Sequence, residues 1–296
     1  MKSGLESIRE MAPRLLGFLR DRRLDRKDAR LTAERAAKFA DADVLVISFT
    51  KSGRTWLRVL LSNLFSRRFG LSDKELLDGD NLHRLVPRIP KVYFAPDTKF
   101  PYPELGPALV FATSRQKVVF LVRDPRDVAV SFYFHVKHRA GPRELRRKKI
   151  PEAARGLDLD AFVLDPHCGA ARNIAYLNRW AAERPGLRET HLVHYEALVA
   201  DTIGAFTAVL DFIGQPTDPS LVAEVVDFAS FESLQRKERE GFFTSDRLGQ
   251  TRAGDPETGK VRQGQVGGYR DRLRPETVQA LDRLVRDTLD PVYGYR

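Results

Sequence analysis

The segment from Asp43 to Phe65, DVLVISFTKSGRTWLRVLLSNLF, constrains this fold more than any other part of the chain. After Asp43 it opens on the apolar, β-branched run Val44–Ile47, the pattern of a strand buried on both faces. The chain then passes through Thr50, Lys51, Ser52, Gly53 and Arg54 into Thr55 and Trp56. Beyond these, Leu57, Leu60, Leu61, Leu64 and Phe65 recur at helical spacing. A buried strand that turns at once into an amphipathic helix belongs to an α/β fold with a parallel sheet. The helix N-terminus then lies beyond the strand's carboxyl end, where unpaired amides and the positive dipole end favour an anion. Gly53 permits close backbone approach, and Ser52 and Thr55 add hydroxyls. Because Lys51 precedes the glycine, the Walker order is absent, which disfavours an ordinary nucleoside triphosphatase or kinase.

Periodicity extends this frame. Val44 to Phe49, Lys117 to Val122 and Thr190 to Tyr195 read as buried strands, with a fourth near Lys91 to Ala95. Helical patterns fall at about 55–68, 125–139, 169–182, 196–213, 219–228 and 275–289. The alternation predicts one α/β domain over 41–296, a central parallel sheet flanked by helices, preceded by an N-terminal helical extension over 1–40. In that extension Leu5 to Arg30 mixes apolar residues with many arginines. It suits an outer helix packed on the domain, and at most a peripheral membrane helix.

Composition narrows the function classes. The one cysteine, Cys168, cannot form an internal disulfide, and no run of about 18 apolar residues is present. No early segment joins a basic start, an apolar run and a small-residue cleavage site. A cytoplasmic protein is expected. The formal charge of +10 points to anionic ligands, whether nucleic acid, a membrane surface or small polyanions. No nucleic-acid motif accompanies it, and no metal-ligand spacing is convincing.

A second constellation lies in KVVFLVRDPRDVAVSFYF, Lys117 to Phe134. Asp124 is placed to cap a helix with Pro125 and Asp127 in its first turn. Ser131 falls on the cap's side of that helix nearly two turns later, and Arg123 stands just before the cap. The guanidinium and the hydroxyl could converge on a second anion; alternatively, Arg123 pairs with Asp127.

Together the two segments resemble the sulfotransferases that use 3′-phosphoadenosine 5′-phosphosulfate. KSGRTW, Lys51 to Trp56, is similar to the family's Lys-Ser-Gly-Thr-Thr-Trp turn, with Arg54 in place of the first threonine. Arg123 and Ser131 match its 3′-phosphate pair. HYEAL at His194–Leu198, SFESL at Ser230–Leu234 and VRQGQVGGYRDRL at Val261–Leu273 are similar to later segments of the family. The resemblance implies a P-loop-NTPase-like fold and sulfuryl transfer to a hydroxyl or amine without a metal. It also implies roles for named residues. Lys51 would face the leaving phosphate; Ser52, Gly53, Arg54 and Thr55 would hold the 5′-phosphate; Trp56 and Tyr195 would flank adenine. Arg123, Ser131, Arg262 and Gly264 would hold the 3′-phosphate, and Gln263, Ser230 and Phe231 would also contact the cofactor.

Several positions depart from the family. Gln263 stands where lysine is common, Tyr269 where tryptophan is common, and Ala229 where a threonine is found. The usual strand-end histidine is absent from KVYFAPDTKFPY, so the proton acceptor is expected at Asp97, with His83 and His135 as alternatives. The basic segment Lys137–Arg155 suits an anionic acceptor or a solvated loop. The polar loop 239–264 is expected to be a lid with Phe242 and Phe243 facing the acceptor. His167 beside Cys168 lacks an orienting third group. His191 and His194 suit packing better than ligation. Other readings of the chain are a relative that binds the nucleotide without transferring, a nucleic-acid-binding protein and a small-molecule kinase.

Overall fold

The central sheet has four parallel strands in the order β2-β1-β3-β4. They are β1 (Val44–Ser48), β2 (Val92–Pro96), β3 (Lys117–Val122) and β4 (Glu189–His194). A computed structural model describes residues 37, 40–96, 116–245, 248, 261 and 264–296. The chain divides into Met1–Asp41 and Ala42–Arg296, and the sheet belongs to the second unit. The helical extension expected over 1–40 lies outside the described residues, apart from Ala37 and Ala40.

Every residue of β1 is buried, as the apolar run Val44–Ile47 requires for a central strand covered on both sides. Val44 stands in register with Val92 on one side and Lys117 on the other. Leucine-rich α1 (Arg54–Phe69) follows β1 and lays Leu57, Leu60 and Leu64 against Val44, Val46, Phe94 and Val119. The short α2 (Asn81–Leu85) precedes β2. After β3 come α3 (Pro125–His138), α4 (Pro142–Arg147), α5 (Leu159–Leu164) and α6 (Ala170–Glu183). On the opposite face of the sheet Phe120 meets Trp180 of α6 edge-on at 4.9 Å.

The single helix expected over 196–213 is two, α7 (Tyr195–Ala200) and α8 (Thr202–Phe212). Asp201 divides them, because its carboxylate accepts from the Gly204 N–H at 2.9 Å and starts a new helix. The remaining helices are α9 (Pro219–Phe228), α10 (Phe231–Arg239) and α11 (Pro275–Thr288). Periodicity missed α2, α4, α5 and α10, which are too short to show a repeating apolar stripe.

From β1 the chain proceeds to β2 on one side, and from β3 to β4 on the other. The crevice of such a sheet therefore opens at the carboxyl ends of β1 and β3. Lys51 and Arg123 stand in the turns there. Among the described residues no helix is long and apolar enough to cross a membrane.

Phe206 of α8 is fully buried beneath the sheet. Its replacement by Ala should destabilise the domain by about 3–5 kcal/mol. Urea unfolding should show this as a lower midpoint at an unchanged slope.

Candidate active site

The turn after β1 adopts a conformation that few sequences accept. Lys51 has φ 75° and Gly53 φ 92°, both in the left-handed region. Gly53 is the N-cap of α1, and no side chain caps the helix or places an acid in its first turn. The positive pole of α1 is therefore uncompensated by any carboxylate of its own. A methyl group on Gly53 would stand 2.5 Å from the Tyr195 ring, so both backbone angle and space demand glycine.

Tyr195 opens α7 and is buried. Trp56 meets its ring edge-on at 5.9 Å, and the Arg123 guanidinium lies over it at 4.3 Å. The Trp56 indole donates to the Ala229 carbonyl at 2.9 Å, tying α1 to the chain just before Ser230 and Phe231. One aromatic ring thus joins the two constellations found in the sequence.

Arg123 is held by backbone carbonyls, that of Gln265 at 3.0 Å and that of Lys51 at 3.5 Å. It also pairs with Asp127 at 3.6 Å, the structural alternative that the sequence left open. Its Nε–H, buried, has no acceptor among the described residues. Burial pushes the Asp127 carboxyl up, while Arg123 and two backbone N–H groups pull the other way. Those donors are Gly267 at 2.8 Å and Tyr269 at 3.1 Å. Asp127 therefore anchors the tail segment to α3, and Gly264 comes to rest against Phe231, whose ring would be 2.8 Å from an added Cβ. Arg262 and Gln263 lie outside the described residues, as does Asp97.

Arg54 differs from the family pattern for a visible reason. Its Nη1 donates to Ser48 Oγ at 2.8 Å, folding the side chain back over the end of β1. Ser52 is buried, and Thr55 is partly exposed. Ser131 is partly exposed, and its hydroxyl makes no hydrogen bond to another described residue.

Asp127, Ser131 and His135 recur every fourth residue and form one stripe of α3. At the far end of that stripe, His135 Nε2 meets Glu144 Oε1 at 2.9 Å, and the imidazole stacks on Phe132. Burial pushes the His135 pKa down to about 4; Glu144 resists this, and the nearby charge of Lys51 adds to it. Burial would raise the Glu144 carboxyl, but the His135 bond and the charges of His135, Lys148 and Arg147 outweigh it and hold it low. At neutral pH the pair is a carboxylate and a neutral imidazole whose Nε2–H donates, leaving Nδ1 as an acceptor. The sequence offered no signal for Glu144, which sits among the cations of Lys137–Arg155.

Other expectations resolve differently. Phe243 is buried in the main core and so does not face an acceptor, while half-buried Phe242 packs against Phe228. The sequence of that loop is polar, but its two aromatics find the apolar layer beneath α9 and α10. His83 Nδ1 bonds the Ile89 carbonyl at 2.8 Å. Burial and a 3.2 Å contact with Asp165 push the Cys168 thiol far up, which makes it inert. His191 stacks on Phe212, and His194 bonds the Tyr295 hydroxyl at 3.1 Å. Among the described residues no group of three or more His, Cys, Asp or Glu could hold a metal ion.

The sulfotransferase domain family matches residues 41–292, nearly the whole described chain. This protein belongs to the sulfotransferase family. Cytosolic sulfotransferase 12 of Arabidopsis thaliana is 27% identical, covering 87% of this chain and 80% of its own length. Flavonol 3-sulfotransferase of Flaveria bidentis is 24% identical, covering 88% and 86%. Among solved structures, mouse sulfotransferase SULT7A1 complexed with PAP superposes with a TM-score of 0.55. It is 17% identical and covers 86% of this chain and 89% of its own. Retinol dehydratase in a complex with retinol and PAP has a TM-score of 0.54 at 17% identity, covering 88% and 86%. These superpositions establish the P-loop-like α/β fold. This sulfotransferase is an enzyme of the class that draws on 3′-phosphoadenosine 5′-phosphosulfate.

Gly53→Ala should lower stability by about 1–3 kcal/mol through backbone strain alone, with the clash against Tyr195 added. Thermal unfolding of the variant measures it, and an unchanged midpoint would mean that the Gly53–Tyr195 contact is not as close as described.

Proposed function

We propose that this sulfotransferase transfers sulfuryl from 3′-phosphoadenosine 5′-phosphosulfate to a hydroxyl or amine, with Lys51, Arg123, Ser131 and His135 lining the path. The observation that carries the reading is that Arg123 touches the Lys51 carbonyl and shares the Tyr195 ring with Gly53 and Trp56. Two anion sites on one wall suit a nucleotide with separate 5′ and 3′ phosphates. The donor set fits: an uncapped helix N-terminus, two cations, hydroxyls, and a buried Arg123 Nε–H with no acceptor among the described residues. Two of the solved relatives are themselves complexes with PAP.

When bound, that donor supplies a sulfuryl group attached to a phosphate leaving group. Lys51 places positive charge where the leaving oxygen gains negative charge, and the α1 amides at Ser52, Gly53, Arg54 and Thr55 hold the 5′ end. The Arg54 guanidinium is engaged with Ser48, so its part is its backbone N–H. Trp56, Tyr195, Ser230 and Phe231 wall the base. Arg123 and Ser131, joined by Arg262, Gln263 and Gly264, hold the 3′-phosphate. His135 Nδ1 accepts the proton of the acceptor, and Glu144 fixes the tautomer by accepting from Nε2–H. The support for His135 is its place one turn beyond Ser131, its proximity to Lys51, and the carboxylate behind it. Asp97 remains the other candidate from the sequence. An acceptor with an anionic group suits Arg146, Arg147 and Lys149, which are exposed on the outer side of α4 and the turn after it.

In a thermal-shift titration, 3′-phosphoadenosine 5′-phosphate should raise the melting temperature far more than adenosine 5′-phosphate. Equal shifts would remove the case for Arg123 and Ser131 as a 3′-phosphate site. His135→Gln should lower kcat about 10²-fold or more with little change in donor affinity.

His135 also sets a pH dependence. Its folded pKa of about 4 lies below the ordinary 6.5. The neutral base persists through mildly acid pH, so the rate limb due to His135 should fall only as pH approaches about 4. Its contribution to stability is complete above the unfolded value and is lost as pH falls through the folded one. A kcat/KM limb that persists unchanged in His135→Gln would exclude His135 as the base.

A further inference from the structure

Lys148 lies in a segment whose neighbouring cations face solvent, yet it is only 4% exposed. Its Nζ donates to Thr50 Oγ1 at 2.7 Å and lies 5.5 Å from the centre of the Phe132 ring. Burying an ammonium is costly unless hydrogen bonds and an opposite charge accompany it. Here Thr50 accepts the bond, and the Glu144 carboxylate, which Lys148 helps to hold ionised, supplies the charge.

The position of Lys148 is built by the backbone around it. Lys148 ends α4, and Lys149 follows in the left-handed region at φ 53°. The Ile150 N–H returns to the Leu145 carbonyl at 2.9 Å, and both side chains belong to one buried cluster. This is a Schellman stop with its apolar contact, made here with lysine where glycine is usual. Arg172 Nη2 donates to the Lys148 carbonyl at 2.7 Å. The stem of Lys148 is thus directed inward by fixed groups on both sides.

Thr50 is buried and immediately precedes Lys51, whose φ of 75° is unfavourable for a residue with a side chain. Such a conformation persists only where its surroundings impose it. Phe49, one residue earlier, is wedged between Phe132 at 6.4 Å and Tyr176 at 5.4 Å. On the other side, Arg123 reaches the Lys51 carbonyl. The Lys148 bond closes this clamp at Thr50.

We propose that Lys148 is a positioning residue for Lys51: by holding Thr50 Oγ1 it keeps the turn at Lys51 in its left-handed conformation. The effect on catalytic rate rests on the role of Lys51 proposed above; the effect on the turn does not. Two measurements on the full chain separate them. Hydrogen exchange of the Trp56 and Leu57 amides, which bond the Gly53 carbonyl at the end of this turn, should speed up about tenfold in Lys148→Met and in Thr50→Val, the scale of one charge-assisted hydrogen bond. In transfer assays each variant should lose about tenfold in kcat while keeping the thermal shift given by 3′-phosphoadenosine 5′-phosphate. The double variant should be no worse than either single one, because both remove the same bond. Thr50→Ser, which keeps the hydroxyl, should recover most of what Thr50→Val loses. Additive losses, or unchanged exchange at Trp56 and Leu57, would overturn the proposal. If Lys148→Met does not fold, the comparison of Thr50→Val with Thr50→Ser decides by the same exchange readout. A wild-type chain without transfer activity would instead count against the proposed function and leave exchange to judge the clamp.

Discussion

The contact between the Tyr195 ring and Gly53 is the constraint on which the rest of the site depends. Gly53 begins α1 and Tyr195 begins α7, two helices more than a hundred residues apart in sequence. Only a residue without a side chain lets the ring come so close, and only a buried ring offers Arg123 a face to lie on. The guanidinium, in turn, reaches the carbonyls of Lys51 and Gln265. The tail is fixed through the same region, because Asp127 pairs with Arg123 and accepts from Gly267 and Tyr269. Loss of the ring would therefore loosen the cradle, the arginine and the tail together.

Around this contact, buried charges are distributed in pairs. Arg126 binds Asp124 at 2.7 Å and also meets Asp282, the Arg296 carbonyl and the Tyr269 ring. Asp124 also caps α3, so the helix carrying the Asp127–Ser131–His135 stripe is secured at its first turn. At the other end of the stripe, Glu144 holds His135 and lies near Lys148. Buried ion pairs are poor sources of net stability, but removing one partner leaves an uncompensated charge. Their value here is directional: they fix where the polar atoms of the cleft stand.

Much of the fold was legible in the sequence because it rests on long apolar patterns. β1, β2, β3, α1, α3, α6, α9 and α11 follow from runs and stripes that their burial explains, whereas β4, expected to be buried, is an edge strand in which only Val193 is buried. The break at Asp201 was also written locally, as a capping aspartate, but the apolar pattern continues across it and conceals the stop. The short helices α4 and α10 left no such trace. Phe243 was misplaced because a polar loop gives no hint that an aromatic within it turns inward. The ordered motifs from Lys51 to Gly264 identified the family, since each motif fixes a backbone turn with few acceptable sequences.

By itself, then, the sequence determined the parallel sheet, the strand-turn-helix cradle at Lys51, the capped helix after Arg123 and the sulfotransferase family. These are properties of contiguous residues, set by backbone geometry, capping and the period of apolar side chains. Only tertiary structure decided that Tyr195 abuts Gly53, that Glu144 orients His135, and that Lys148 turns inward to Thr50 while its neighbouring cations face water. Such contacts depend on which charges the packed core encloses, and no local pattern distinguishes a buried lysine from the solvated ones beside it.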